Sequence, residues 1–589
     1  MYYFIGRMVS YLNNKLRQSH SDDQMLPTSA SRCFASPTAV RDGNQEDNLM
    51  STEVPMMSNY LTKTQEEYFL GLFWQSCHCV YQILDESNFR KHYESLWTGS
   101  ETSRKQSSLV DIVIAICMQY GVGFIPRTDE YGEATAEMDA SDATIAGRWF
   151  YRRSQALLAE EQESPSLSTL QCHVFSVIYL CNASFQNMAH SSLALAIRTA
   201  QILGLQFEPP ADISRPHREL RKRIWWTLYA LEVKTCMKLG RPWSAAMRHI
   251  SCSLPADDPE LASLSCSNFG SWEGITWLSY TLQNLKLVLA VHAIYKEFYD
   301  ECAEILGDNE WKSLYTNPDS LEACAKFLSK KISPLQAWSQ DVPDALKTKR
   351  KVSGQPFSTD RSSLDVDLFA PLWLQRQRLV LELLYHNLAM NLYRPFICCS
   401  LATNPCNPLA EGHGISCVNH AMAITHIMHQ VLTQTDILSG WHEPYLWQWN
   451  AAISLIGFTL AYPIAPSTPS ARKAISDAIT VFERLGNNFA MAASAANVTR
   501  DLAAKVDFLI DRFRIGLTPP DPFLNGNFDP ESGGGRESHP ILQPRDSTFP
   551  LLEDSGMESS NFGFAMDSFN VFEPLSPDGT NMFENWTFT

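Results

Sequence analysis

His217-Arg-Glu-Leu-Arg-Lys-Arg-Ile-Trp-Trp-Thr-Leu-Tyr-Ala-Leu-Glu-Val-Lys-Thr-Cys-Met-Lys-Leu-Gly240 carries the period of an α-helix. Leu220, Ile224, Leu228 and Leu231 return every three or four residues, so one face is apolar. Gly240 stands where a left-handed cap ends such a helix, and Pro242 cannot continue it. Arg215, Arg218, Arg221, Lys222 and Arg223 crowd its start, ahead of Trp225 and Trp226, and at first resemble a nucleic-acid surface. On a helix these cations fan around the first turns while Trp225 and Tyr229 extend the apolar face. A solvated or ion-paired helix start is therefore the preferred reading.

The same period recurs on both sides. Upstream, Ala189, Leu193, Ala196, Ile197, Ala200 and Leu203 form a stripe stopped by Gly204. Downstream, Leu379, Leu383 and Met390 lie on one face from Leu372, with Val380, Leu384, Leu388 and Leu392 on the next. A stripe that wide predicts a buried helix, and Arg394-Pro395 ends it because the residue before proline disfavours the α region. Further helices are predicted near 417–433, 445–462, 471–485 and 498–515. Alternating strand patterns joined by Asn-Gly or Asp-Gly turns are nearly absent. The fold class read from these patterns is all-α over residues 59–515. Pro343, Pro356 and several serines make 340–367 a linker or long surface loop. Residues 1–58 open with a short amphipathic piece, Met1 to Leu12, and then turn polar, which reads as mostly disordered. Arg7, Lys15 and Arg17 precede the first acid, Asp22, a pattern shared with mitochondrial presequences, but a chance helix or a misassigned start codon is preferred.

The chain has 589 residues, 45% of them apolar and 19% charged, which excludes collagen-like and wholly disordered classes. Fifteen cysteines without a regular spacing point to a reducing compartment, the cytosol or nucleus. The longest apolar run, Ala451 to Ala465, is broken by Pro463 and falls short of the roughly 18–20 residues a membrane span needs, so no membrane partner is expected.

The net charge of −17 is uneven: residues 521–589 hold twelve acids against Arg536 and Arg545. Within the final stretch, which has no lysine or arginine after Arg545, Phe549, Phe562, Phe564, Phe569, Phe572, Phe583, Trp586 and Phe588 alternate with carboxylates. Like charges keep such a segment expanded and its rings in water, available to a shallow apolar groove on a partner. Residues 516–589 thus read as a disordered acidic-aromatic tail of the transcription-activating kind, in preference to a merely solubilising one, since solvation gains nothing from eight large rings. Ser576, followed by Pro577, is a candidate phosphorylation site there.

Catalytic signatures are missing: no Gly-x-Gly-x-x-Gly, phosphate-binding loop, His-Glu-x-x-His or Gly-x-Ser-x-Gly occurs. Cys77-His78-Cys79, Cys398-Cys399 and His426 with His429 are the tight metal-type pairs, and none has the two-residue cysteine gap that aims two thiolates at one zinc. Cys117, Cys172 and Cys181 read as small core residues. The run Lys347, Lys349, Arg350 and Lys351 in the 340–367 loop is a candidate nuclear localisation segment, set against a plain solvated loop.

Several ordered motifs together resemble the fungal-specific transcription factor domain, the middle homology region of binuclear zinc cluster regulators. They are Arg218 to Glu232 followed by Leu239-Gly-Arg-Pro242 and Leu254-Pro255, with Ser166 to Gln171 and Ala196 to Leu205 upstream. Tyr68 to Trp74, and Tyr385 through Arg394-Pro-Phe396, are similar to the family's entry and later helix. The resemblance implies an all-α regulatory domain, a nuclear location and a role in transcription, with the domain restraining activity and in some members sensing a small molecule. It also implies an N-terminal cluster in which six cysteines hold two zincs and place a helix in the DNA major groove, often as a dimer. Cys33 is the single cysteine ahead of residue 59, so none of those six positions carries over and no zinc is expected in this chain. The expectation is a nuclear regulator whose helical domain controls the tail, with the transcription machinery or a coactivator as the tail's partner. The alternatives are a non-DNA-binding cofactor of a zinc-cluster protein and, last, a pathway enzyme. Arg241 is expected to pair with an acid or helix-end carbonyls, and Pro242 to stop its helix.

Overall fold

The computed structural model describes residues 2–16, 61–97, 103–124, 142–244, 250–266, 269–308, 313–315, 317–367, 369–398 and 407–517. Among these there is no β-strand, only the isolated bridges Trp272 to Ile275 and Arg350 to Leu364. The first half comprises α1 (Tyr2–Leu16), α2 (Lys63–Leu72), α3 (Glu86–Ser95), α4 (Ser108–Phe124), α5 (Arg148–Glu160), α6 (Leu167–Asn182), α7 (Gln186–Ile202) and α8 (Arg215–Leu239). Then follow α9 (Pro259–Ser265), α10 (Ser279–Asp308), α11 (Pro318–Lys331), α12 (Ser333–Asp341), α13 (Leu372–Tyr393), α14 (Pro408–Gln434), α15 (Glu443–Ala461), α16 (Thr468–Gly486) and α17 (Ala490–Leu517). The all-α expectation holds.

Local chemistry sets several helix starts. Thr62 and Gln65 form a reciprocal capping box at α2, and Ser166 with Thr169 does the same at α6. Asp85, Asp258 and Asn317 cap α3, α9 and α11 with their side chains. The helix read from Leu220 onward starts at Arg215 and ends with Gly240 in the left-handed conformation, φ 68°. The wide stripe on α13 is explained by burial of nearly the whole helix, polar residues included. It is the molecule's axle. The Gln377 amide donates to the carbonyls of Cys79 and Trp277, both at 2.8 Å, and so joins α13 to two distant segments of the chain. α14 and α15 pack against α13, and α16 and α17 follow, packed on α15 and on each other.

One expectation needs correction. Residues 1–58 read as a mostly disordered segment, yet the amphipathic piece at its start is a helix, Tyr2–Leu16, whose Phe4, Ile5, Met8, Val9 and Leu12 are buried in the core. Its apolar face meets Gly457 on α15, and the Arg7 guanidinium lies 3.3 Å from the Tyr315 ring centroid. That docking surface lies hundreds of residues away along the chain, which is why local polarity hid it. Residues 17–60 lie outside the described residues.

The 340–367 stretch is a loop, as read, but not a free one. It holds a 3-10 turn, Asp344–Leu346, and closes back on itself through the Arg350 to Leu364 bridge. Thr348 Oγ1, Arg350 Nη2 and the Phe357 backbone N–H all donate to the Glu382 carboxylate on α13, the last at 2.9 Å.

Candidate functional site

The cations at the start of α8 are consumed within the fold. Arg215 pairs with Asp258 and Glu260, and Lys222 with Glu208 and Glu219. Arg221 donates to the Leu203 carbonyl, and buried Arg223 donates to the Gln82 carbonyl at 3.0 Å. Burial drives the Arg223 guanidinium down to about 10, against the pull of Glu219 and Asp85. Trp226 Nε1 donates to the Ser253 carbonyl and Tyr229 shares a 2.6 Å hydrogen bond with His292. These residues hold helices together and leave no basic face of the kind nucleic acid requires. Arg241 differs from its expectation: its guanidinium donates to the Asn187 amide oxygen at 2.5 Å, not to an acid or a helix end.

The candidate import segment is split by the fold. Lys349 and Lys351 are exposed, Lys349 at 2.9 Å from Asp367, while Lys347 is half-buried beside Asp344. Arg350 is buried against Glu382. The tail residues Phe549, Phe562, Phe564, Phe569, Phe572, Phe583, Trp586 and Phe588, and Ser576, lie outside the described residues, as does Cys33.

A cleft of about 440 Å³ opens between α2, α4, the start of α13 and the 434–437 segment. Its walls include Tyr68, Leu72, Gly121, Phe124 and Leu372, and Arg376 lies in its lining. Tyr68, Phe124 and Leu372 are 64%, 47% and 45% exposed, so the mouth is a ring of large apolar side chains facing water. Arg376 itself is buried. Its Nε donates to the Ile437 carbonyl at 3.1 Å, Nη1 to the Gln75 carbonyl at 2.9 Å, and Nη2 to the Tyr120 hydroxyl at 2.7 Å. Gln75 belongs to a π-helical turn, Phe73–Cys77, that continues α2. Single π-turns concentrate at functional sites because they turn backbone groups out of the helical ladder.

Sequence reasoning missed Arg376 and its cleft. The partners stand 301 and 256 residues from it, and an arginine inside a helical pattern carries no local signature. It also missed the pairing of His420 with His386, ring nitrogens 2.9 Å apart between α13 and α14. His426 and His429 make no metal set: among the described residues no three His, Cys, Asp or Glu side chains converge on one point. Burial pushes the Cys77 and Cys79 thiols up to about 11 and about 12, the opposite of what a thiolate ligand needs. Cys117 and Cys172 are buried and Cys181 half-buried, all three free. Among the described residues no helix is long and apolar enough to cross a membrane.

Among its described residues the domain is all-helical, holds no metal-type cluster of His, Cys, Asp or Glu, and carries the cleft around Arg376. Residues 70–340 match the model of the fungal specific transcription factor domain. The chain is 40% identical over 521 residues to the transcription factor asqA of Emericella nidulans, covering 85% of this chain and 89% of that protein. It is 37% identical over 523 residues to the terreic acid cluster-specific transcription factor atF of Aspergillus terreus, covering 87% and 76%. It is 23% identical over 485 residues to the oosporein cluster regulator OpS3 of Beauveria bassiana, covering 77% and 62%. The chain belongs to the fungal-specific transcription factor domain family, and its role is the regulation of transcription.

Proposed function

We propose that the protein is a nuclear activator of RNA polymerase II genes, in which the helical domain (59–515) restrains an acidic-aromatic activation tail (516–589). Two relatives are named as regulators of a biosynthetic cluster, the terreic acid cluster-specific factor and the oosporein cluster regulator, which supports cluster genes as the targets. The observation that carries the reading is the tail's composition: eight large rings among carboxylates with no compensating cation after Arg545. The tail's partner is a basic, shallow apolar groove on the transcription machinery or a coactivator. Tethering residues 521–589 to a foreign DNA-binding module tests it. Reporter activation that disappears when the eight rings become alanine supports the reading; a silent tail, or one indifferent to the rings, sinks it. Phosphate at Ser576 adds charge to the same segment and shifts its affinity for that partner.

Nuclear entry belongs to the same proposal. With Arg350 held by Glu382, an import receptor reads Lys347, Lys349 and Lys351. Replacing those three lysines by alanine in a fluorescent fusion empties the nucleus if this is so.

A second reading is a cofactor that pairs with a zinc-cluster regulator and touches DNA only through it. The pairing of the α8 cations Arg215 and Lys222 with acids inside the fold favours it. A gel-shift measurement on the purified chain, alone and with its partner, separates the two.

A further inference from the structure

We propose that the cleft between α2, α4 and α13 binds a small aromatic carboxylate, anchored by Arg376 and walled by Tyr68, Phe124 and Leu372. The inference deepens the reading of this domain as the regulatory part, because it supplies the ligand class such a domain answers to.

Charge is the first argument. Arg376 spends three N–H groups on two carbonyls and a phenol, all neutral, and two of its five N–H groups remain. Among the described residues no carboxylate comes within ion-pair distance of it, as with buried Arg223 and Arg394 and in contrast to buried Arg104, and Arg376 lines the cleft. A desolvated cation without an anion is costly, and an incoming carboxylate pairs with a guanidinium through two parallel hydrogen bonds. The nearby thiols of Cys77 and Cys79 stay protonated, so neither supplies the missing charge at neutral pH.

Shape is the second. The volume of about 440 Å³ falls in the range of roughly 300–1,000 Å³ typical of small-ligand pockets. The exposed rings of Tyr68 and Phe124 and the Leu372 side chain give a flat aromatic body somewhere dry to lie. Asp436 also lines the cleft, but it is exposed and its charge is screened by water. Location is the third. Arg376 ties together the π-turn, α4, α13 and the 434–437 segment, so a ligand on its guanidinium touches the fastening of four elements at once. A ligand that favours one arrangement of those elements shifts the population towards it.

The test is calorimetric titration of the full chain with 2-naphthoate and with its neutral isostere 2-naphthamide. The proposal predicts saturable one-to-one binding of the acid, at least about tenfold tighter than the amide. Gly121→Leu adds bulk to the α4 wall of the cleft beside Leu72, where a Cβ finds only ordinary contacts at 3.5 Å with Leu72 and Phe69, and does not touch Arg376 itself. It should abolish binding while the thermal transition persists. Arg376→Gln should remove the preference for the acid; should that variant fail to fold, Gly121→Leu and the amide decide. Equal binding of acid and amide, undiminished binding by Gly121→Leu, or no saturation by about 10 mM acid overturns the site. A chain that fails to bind yet drives a reporter loses the cleft proposal and keeps the regulatory role.

Discussion

Glu382 shows how a single buried charge fastens the loop that the sequence left as a break between helices. Its carboxylate is fully buried and accepts from Thr348, Arg350 and the Phe357 backbone, with His386 Nε2 3.7 Å away. Burial raises its pKa, but hydrogen bonding from His386 and the charge of Arg350 outweigh this and hold it below the ordinary carboxylate value. A carboxylate depressed in the folded state contributes stability above its unfolded pKa of about 4.3, and that contribution is lost as pH falls through the lower folded value. Glu382→Gln should therefore cost about 3–5 kcal/mol at pH 7, because it leaves Arg350 buried and unpaired. Urea unfolding measures it. The gap between native and variant should narrow as the pH falls below about 4. A gap that stays constant with pH means that Glu382 is not the anchor. The exposed Lys349 and Asp367 pair makes the contrast: Lys349→Ala should change stability by less than about 1 kcal/mol.

Helices differ in how far their surroundings can be read from their own residues. α8 and α13 were legible because each carries its full apolar stripe and its stop signal, Gly240 in one and Arg394-Pro395 in the other. α1 was half legible: its amphipathic face is plain, but its receiving surface is a glycine on α15, and no pattern near Met1 announces that. A Cβ added at Gly457 would collide with the Phe4 ring, so the two residues share one space. Gly457→Ala should cost about 1–3 kcal/mol as overpacking, and Phe4→Ala about 3 kcal/mol as a cavity. In the double variant the first cost should largely vanish, since the ring that clashed is gone. Strict additivity in thermal or urea unfolding would mean that α1 does not pack on α15 in solution. The cleft was not legible at all. Its mouth comes from α2, α4 and α13, and its cation bonds to partners 301 and 256 residues away. Periodicity identifies which residues are buried on a helix; it does not say which distant carbonyl a buried guanidinium will meet.

At the scale of the whole molecule the charge is divided by function. The helical body uses its cations internally, in pairs such as Arg104 with Glu66 and Asp111, while the last stretch of the chain keeps its carboxylates without cations. Cations spent on such pairs contribute little to an outward basic field. The proposed restraint by the body and activation by the tail are separable by experiment, and tethering to one DNA site reads both. Three forms need comparison: the full chain, the chain ending at Leu517, and residues 518–589 alone. The account predicts strong activation by the tail, weaker activation by the full chain because the domain restrains it, and none by the form ending at Leu517. Activation by the form ending at Leu517 as strong as that of the full chain would contradict it.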